Sequence, residues 1–257
     1  GKEEISIPSV RRKWNNKVTL VGAAQNNLKG FTVDFPLNTL TVVTGVSGSG
    51  KTSLVKGILY PAMLRETQQY STQKIGEVKE VNGDLNSIST TELVDQNPIG
   101  KSSRSNPVTY VKAYDLIRDL YSTMPLSKQR GFKPKHFSFN VDGGRCENCQ
   151  GEGEEIVEMQ FMADLHLTCE DCGGKRFKDE VLEVKFKQKS IFDVLNLTVD
   201  EAIEFFQGQR SLINKLLPLQ EVGLGYVKLG QSSNSLSGGE AQRIKLATFL
   251  AKSQHKE

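Results

Sequence analysis

Gly45-Val46-Ser47-Gly48-Ser49-Gly50-Lys51-Thr52 is the stretch whose reading decides the fold. Its glycines allow a tightly curled backbone that turns amide N–H groups inward. Leu40-Thr41-Val42-Val43 before it is rich in β-branched residues, and Lys51 to Tyr60 after it reads as a helix that should stop before Pro61. Strand, Gly-x4-Gly-Lys-Thr turn and helix together make a cradle for phosphate, and the helix N-terminus adds a favourable dipole. Lys51 is expected on the β- and γ-phosphates of ATP, and Thr52 on its Mg²⁺. The plainer reading, a glycine-rich turn that binds nothing, does not explain the strand and helix on either side.

Working outward, residues 1–16 form a polar and basic lead-in with one tryptophan, Trp14. Val18-Thr19-Leu20-Val21 and Phe31-Thr32-Val33-Asp34-Phe35 read as strands, with turns at Asn26-Asn27 and Pro36-Leu37-Asn38. Residues 65–92 are polar and are expected as a surface excursion. Leu93-Val94-Asp95-Gln96 resembles the end of a short strand. Ser105-Asn106-Pro107 should open a helix, continued at helical spacing by Val108, Val111, Tyr114, Ile117 and Leu120.

The four cysteines are spaced Cys146-x2-Cys149-x19-Cys169-x2-Cys172. Two Cys-x-x-Cys turns offer four thiolates, which suits a closed, tetrahedral, structural Zn²⁺ site. Gly143-Gly144 and Gly173-Gly174 permit the turns around it. Between the pairs, Val157, Met159, Phe161, Ala163, Leu165 and Leu167 alternate with Glu158, Gln160, Met162, Asp164 and His166, a strand period that predicts a hairpin. His136 and His166 are read as ordinary polar residues. A redox pair of cysteines would need a thioredoxin-like context that is lacking. Further on, Thr198-Val199-Asp200-Glu201 is a capping box, a helix is expected over Ser211 to Val222, and another over Ala241 to Lys252.

Net charge is +3, so no global attraction to nucleic acid follows, and only local clusters matter. With 37% hydrophobic and 25% charged residues, the composition is that of an ordinary globular protein. An 18-residue apolar run is lacking, and the start of the chain has no signal-peptide core, so no membrane association and a cytoplasmic location are expected. The clusters include Lys101 and Arg104 beside Ser102-Ser103, then Arg130, Lys133 and Lys135 before Phe137 and Phe139, and Arg145 beside the first cysteine. These are the candidate DNA contacts, while an ordinary solvated loop explains them equally well. Phe137 and Phe139 are read as core.

Leu236-Ser237-Gly238-Gly239-Glu240 opens the last helix and presents a hydroxyl and two glycine amides, a second anion-binding surface. Together with the upstream phosphate cradle it resembles the signature of the ABC ATPases. In that family the signature of one nucleotide-binding domain closes on ATP held by another, and Gln96 sits where the Q-loop glutamine would. The family's next elements, a strand ending in Asp-Glu and a switch histidine, do not follow Lys252, and His255 lies too close to serve. Negligible hydrolysis by this chain alone is therefore expected, as from a fragment of a larger protein.

An ABC cradle, a four-cysteine insertion and a signature, in that order, look like the C-terminal half of the UvrA family. Val94-Asp95-Gln96-Asn97-Pro98-Ile99-Gly100, Arg104-Ser105-Asn106-Pro107, Gly143-Gly144-Arg145-Cys146-Glu147-Asn148-Cys149 and Gly223-Leu224-Gly225-Tyr226 carry the likeness. It implies an α/β fold, an ABC-type P-loop nucleotide-binding fold with an inserted small β-rich zinc module of four cysteines. The expected layout is an ABC core at 17–139, a zinc-binding insertion at 140–180 and a signature region at 181–257. It also implies damage recognition in nucleotide excision repair, damaged double-stranded DNA as ligand, a UvrB helicase partner and a homodimer of the full-length protein. A transporter-class nucleotide-binding subunit leaves the cysteine insertion unexplained. A chaperone-like zinc module leaves the P-loop unexplained.

Overall fold

The computed structural model describes residues 6–11, 13–69, 72–100, 102, 104–157, 159, 161 and 164–253. The chain divides into two compact units, Gly1–Leu93 and Val94–Glu257.

The first unit is built on a three-stranded antiparallel sheet. β1 (Lys17–Ala23) lies between β2 (Phe31–Pro36) and β3 (Glu80–Gly83). Val18 faces Phe35 on one side and Gly83 on the other, and Leu20 faces Val33 and Val81. Val18 and Leu20 point inward by the two-residue strand period and are buried against Leu54, Ile58, Ala62 and Met63 of the following helix.

Three expectations change here. β3 lies inside the supposed surface excursion, and Ile75, Val78, Val81, Leu85 and Ile88 around it pack on the core. Leu40 to Val43 forms no strand, and Leu40 is 92% exposed. That run lacks polar alternation, so it suits a strand covered on both faces, and no described strand pairs with it. Finally, the helix behind the glycine turn does not stop before Pro61. It runs on as α1 (Tyr60–Glu66) after a π-helical segment, Ser53–Leu59. Proline has no N–H to give, and its ring crowds the carbonyl four residues back, here Gly57. The wider turn relieves the crowding: Tyr60 N donates to Val55 O, five residues back. The Gly57 carbonyl accepts from Gly76 N instead, at 2.9 Å.

The second unit is mainly helical. Asn106 caps α2 (Pro107–Tyr110) in a reciprocal box with Thr109. The chain turns through Lys112 in the left-handed region (φ +59°) before α3 (Ala113–Ser122), so the single expected helix is two. α4 spans Pro125–Arg130. The cysteine module carries a two-stranded ribbon, β4 (Glu154–Val157) against β5 (Leu165–Thr168), joined by a stretch in which Glu158, Gln160, Met162 and Ala163 lie outside the described residues. Then come α5 (Asp179–Leu182), α6 (Ile191–Leu195), α7 (Val199–Phe205), α8 (Arg210–Glu221) and α9 (Gly238–Ser253). Leu93 to Gln96 is not a strand. The core gathers Tyr114, Tyr121, Phe137, Phe139 and Phe177, so both Phe137 and Phe139 are core, as expected. The buried tyrosines keep their hydroxyls satisfied: Tyr114 donates to Phe137 O at 2.6 Å, and Tyr121 to Lys189 O at 2.7 Å.

Reciprocal caps start α2, α6, α7 and α9. At α6, burial works against the Asp193 charge, but hydrogen bonds from Ser190 Oγ and N outweigh it. They hold the carboxyl below its ordinary value of 3.8. A depressed folded pKa means stability that is present above about pH 4 and lost as pH falls through the folded pKa. Ser190→Ala is expected to lower the unfolding free energy by about 1 kcal/mol at pH 7. Denaturant unfolding should show that penalty shrinking below about pH 4, and a pH-independent penalty would reject the cap.

Candidate nucleotide and metal sites

Gly45, Gly48 and Gly50 adopt φ of +153°, +79° and +94°. Those values favour glycine, and at Gly50 a Cβ would also come within 2.6 Å of Leu28 Cδ2. The loop is braced from outside itself: Asn27 Nδ2 donates to Gly48 O at 2.7 Å, and Asn26 Nδ2 to Ser53 Oγ at 2.9 Å. Sequence reading placed Asn26-Asn27 in a turn and missed the brace, although two amide side chains beside a glycine loop were the available signal. Lys51 Nζ donates to Gly45 O and Val46 O, each at 2.8 Å. The ammonium thus lies inside the curl of the loop, satisfied by the loop's own carbonyls. Thr52 is exposed at the helix start, and Ser49 N closes the turn on Val46 O at 3.2 Å. Ser47 is also exposed.

In the other unit, α9 starts at the second glycine motif. Glu240 N donates to Ser237 Oγ at 3.2 Å, while Glu240 Oε2 accepts from Ser237 N at 2.7 Å and from its hydroxyl at 2.9 Å. Glu240 Oε1 accepts from Tyr226 at 2.8 Å. Bonds from Ser237 N, Tyr226 and the Ser237 hydroxyl, with Arg243 nearby, hold the Glu240 carboxyl below its ordinary range. Arg243 in turn donates to Val222 O and Gly223 O, at 3.3 and 3.2 Å. Tyr226 and Arg243 are supports that sequence reading missed. Leu236 packs on the core, and Gly239 has nothing within 4 Å of a hypothetical Cβ, so the motif faces open space at that glycine. Gln96 lies beside this helix start, where a Cβ on Gly238 would come within 3.2 Å of Gln96 Cβ.

Cys146, Cys149, Cys169 and Cys172 come together as a buried cluster whose sulfurs all lie within 4.8 Å of one another. Cys146 Sγ is 4.0 Å from Cys169 Sγ, and Cys149 Sγ is 3.7 Å from Cys172 Sγ. A tetrahedron of sulfurs at the usual zinc distance has edges of about 3.8 Å. The four thiols therefore fit a tetrahedral metal ion. The glycine turns are required by close approach: a Cβ on Gly151 would come within 2.2 Å of Phe139 O, and one on Gly144 within 1.8 Å of His136 O. Gly153 N donates to Cys149 Sγ at 3.3 Å, the kind of bond that steadies a thiolate ligand. Burial and neighbouring thiols push Cys172 up to about 12. A cation among the sulfurs reverses that order and takes them as thiolates. Neither histidine joins them: His166 Nδ1 pairs with Glu154 Oε2 at 3.0 Å, and His136 Nδ1 accepts from Lys133 N at 2.9 Å.

The basic candidates divide. Arg104 is tied to Glu152 at 2.6 Å, Arg145 to Asp142 at 2.6 Å, and Arg130 to Glu183 and to Glu180 O. Lys133 and Lys135 are exposed. Lys101 lies outside the described residues. No helix among the described residues is long and apolar enough to cross a membrane.

No family model matches the chain. It is 53% identical over 253 residues to UvrABC system protein A of Clostridium perfringens, covering 98% of this chain and 27% of that protein. It is 50% identical over 256 residues to the protein of the same name in Aquifex aeolicus, with 99% and 27% covered. The crystal structure of UvrA2 from Deinococcus radiodurans superposes with a TM-score of 0.89 at 45% identity, over 98% of this chain and 30% of that one. At about half identity along nearly all of its own length, the chain is strongly similar to the UvrA proteins and spans 27% of the length of these relatives.

Proposed function

We propose that the chain is the ATP- and DNA-binding segment of a UvrA-type damage-recognition ATPase in nucleotide excision repair, built on an ABC-type P-loop fold. The observation that carries this reading is the cradle at Gly45 to Thr52, with left-handed glycines around the Lys51 ammonium. In the bound state Lys51 exchanges the carbonyls of Gly45 and Val46 for the β- and γ-phosphate oxygens of ATP. Amides of the glycine loop, those of Gly48, Gly50 and Lys51 among them, are offered to the same phosphates, and the Thr52 hydroxyl joins the shell of Mg²⁺. Gln96 takes the role of a Q-loop glutamine, whose amide serves the water or metal of a bound nucleotide. Ser237, Gly238 and Gly239 cap the γ-phosphate of ATP held by a second P-loop, the amides of Gly238 and Gly239 aligned with the α9 dipole.

Cys146, Cys149, Cys169 and Cys172 hold one structural Zn²⁺, which supplies the module with a crosslink and no open coordination position. Lys133 and Lys135 contact phosphates of damaged double-stranded DNA. The three arginines act mainly by shaping the same surface through their ion pairs. Such contacts position the duplex, leaving lesions to be sensed by deformability. The full-length protein, as a homodimer, hands the lesion to a UvrB helicase.

Three outcomes test this reading. Lys51→Ala is expected to weaken ATP binding by roughly 10-fold or more, as read by titration with a fluorescent ATP analogue, with an unchanged circular dichroism spectrum. An unaltered affinity would remove the cradle assignment. Metal analysis of pure protein should return about one zinc per chain, and a Cys149→Ser variant clearly less. Duplex binding should weaken as salt rises, and Lys133→Ala with Lys135→Ala should lower the slope of log K against log salt by about 2. An unchanged slope would place the DNA surface elsewhere.

A further inference from the structure

Val94-Asp95-Gln96 has no regular secondary structure, so its shape must be imposed by side chains. α9 imposes it. Gln242 Nε2 donates to Val94 O at 3.2 Å, and Lys245 Nζ donates to Asp95 Oδ1 at 2.5 Å and to Asp95 O at 3.4 Å. Asp95 also accepts from Asn97 N at 3.3 Å, which bends the chain around Gln96. Gly238, Gln242 and Lys245 follow the i, i+4, i+7 spacing of one helix face. At the top of that face the missing Cβ of Gly238 leaves room for Gln96.

The Lys245–Asp95 pair is well shielded, with side-chain exposures of 14% and 18%. The other ion pairs among the described residues each leave at least one partner more exposed than this. Shielding strengthens the attraction and makes a lone partner costly. The tie therefore resists local opening more than a surface pair does.

We infer that Lys245 is a positioning residue, which through Asp95 binds the Gln96 segment to the signature helix so that Gln96 and Ser237-Gly238-Gly239 move as one body. The inference rests on the nucleotide-site roles proposed above for Gln96 and the signature. Its physical content is a single link: a nucleotide that shifts either element shifts both, because the side chains of α9 hold the backbone of the Gln96 segment. Gln242 supplies a neutral hydrogen bond at one end of the segment, and Lys245 supplies the charged anchor beside Gln96.

The test uses the full-length protein that carries this chain, in four forms: wild type, Lys245→Met, Lys245→Arg and Asp95→Asn. Lys245→Met keeps the aliphatic stem and removes the charge, and Lys245→Arg retains a cation that can pair. Amide hydrogen exchange across 94–100 should speed up roughly 5–30-fold in Lys245→Met and in Asp95→Asn. Lys245→Arg should restore most of the protection. ATP turnover should fall about 10-fold in kcat with KM within about 2-fold, since the P-loop contacts are untouched. Zinc content and the melting transition should stay close to wild type, which separates positioning from general unfolding. Wild-type exchange, or an equal loss in the arginine variant, overturns the inference. The proposed site roles are judged separately: if Lys51→Ala leaves ATP affinity unchanged they fail, while the exchange result still reports on the tie.

Discussion

The four cysteine sulfurs are the constraint on which the arm of the second unit depends. The ribbon they anchor has no core of its own: every residue of β4 and β5 is exposed. A two-stranded ribbon of four-residue strands is marginal in water. The buried cluster of this module consists of the four cysteines themselves. Their thiols repel as they ionise, and a cation converts that repulsion into attraction at the same four points. The hydrogen bonds from Cys146 N to Arg176 O and from Cys169 N to Gly153 O then lock the two knuckles to each other. Farther out, Arg104 reaches Glu152 and Lys178 reaches Glu147. The loop before α2 and the segment leading into α5 are thus hung on the cysteine turns.

The two glycine motifs solve a shared problem in different ways. In the role proposed for it each exposes backbone amides to an anion, and exposed amides leave a loop without internal support. In the first unit the support is lateral. Asn26 and Asn27 hold the loop from the neighbouring turn, and Lys51 bonds the loop's carbonyls. In the second unit the support is axial. Glu240 caps Ser237, Tyr226 holds Glu240, and Arg243 fastens the Gly223 turn to the helix. In both, most of the residues that give rigidity lie outside the glycines themselves, so the glycine amides stay unencumbered.

How much of this could be read from the residues follows from how local each determinant is. The gathering of the four cysteines was legible, because pair spacing and turn glycines are near-neighbour facts. The caps at Asn106 and Thr198 were legible for the same reason. The lack of a strand at Leu40 to Val43 was not, since a run of β-branched residues states a preference and pairing needs a second strand. β3 was missed because Glu80 to Gly83 is polar, and its place is fixed by the edge of β1 that it covers. The continuation through Pro61 was missed because sequence rules treat a proline as a stop. Here a wider turn and the Gly76 amide absorb its missing donor. Among the basic residues, charge alone could not tell Arg104, already paired with Glu152, from Lys133, which is exposed.

That last distinction bears on recognition. An arginine held by a carboxylate is oriented but largely neutralised, so it adds little to long-range attraction for phosphate. A lysine at the surface keeps its charge and its rotamer freedom, and it can follow a backbone whose path changes. Arg104, Arg130 and Arg145 are thus braced, while Lys133 and Lys135 stay exposed. Reading base edges needs the opposite, rigid bidentate donors aimed into a groove. In the DNA-binding role proposed for Lys133 and Lys135, exposed lysines suit a ligand defined by how its backbone bends, the property a bulky or unstacked lesion alters.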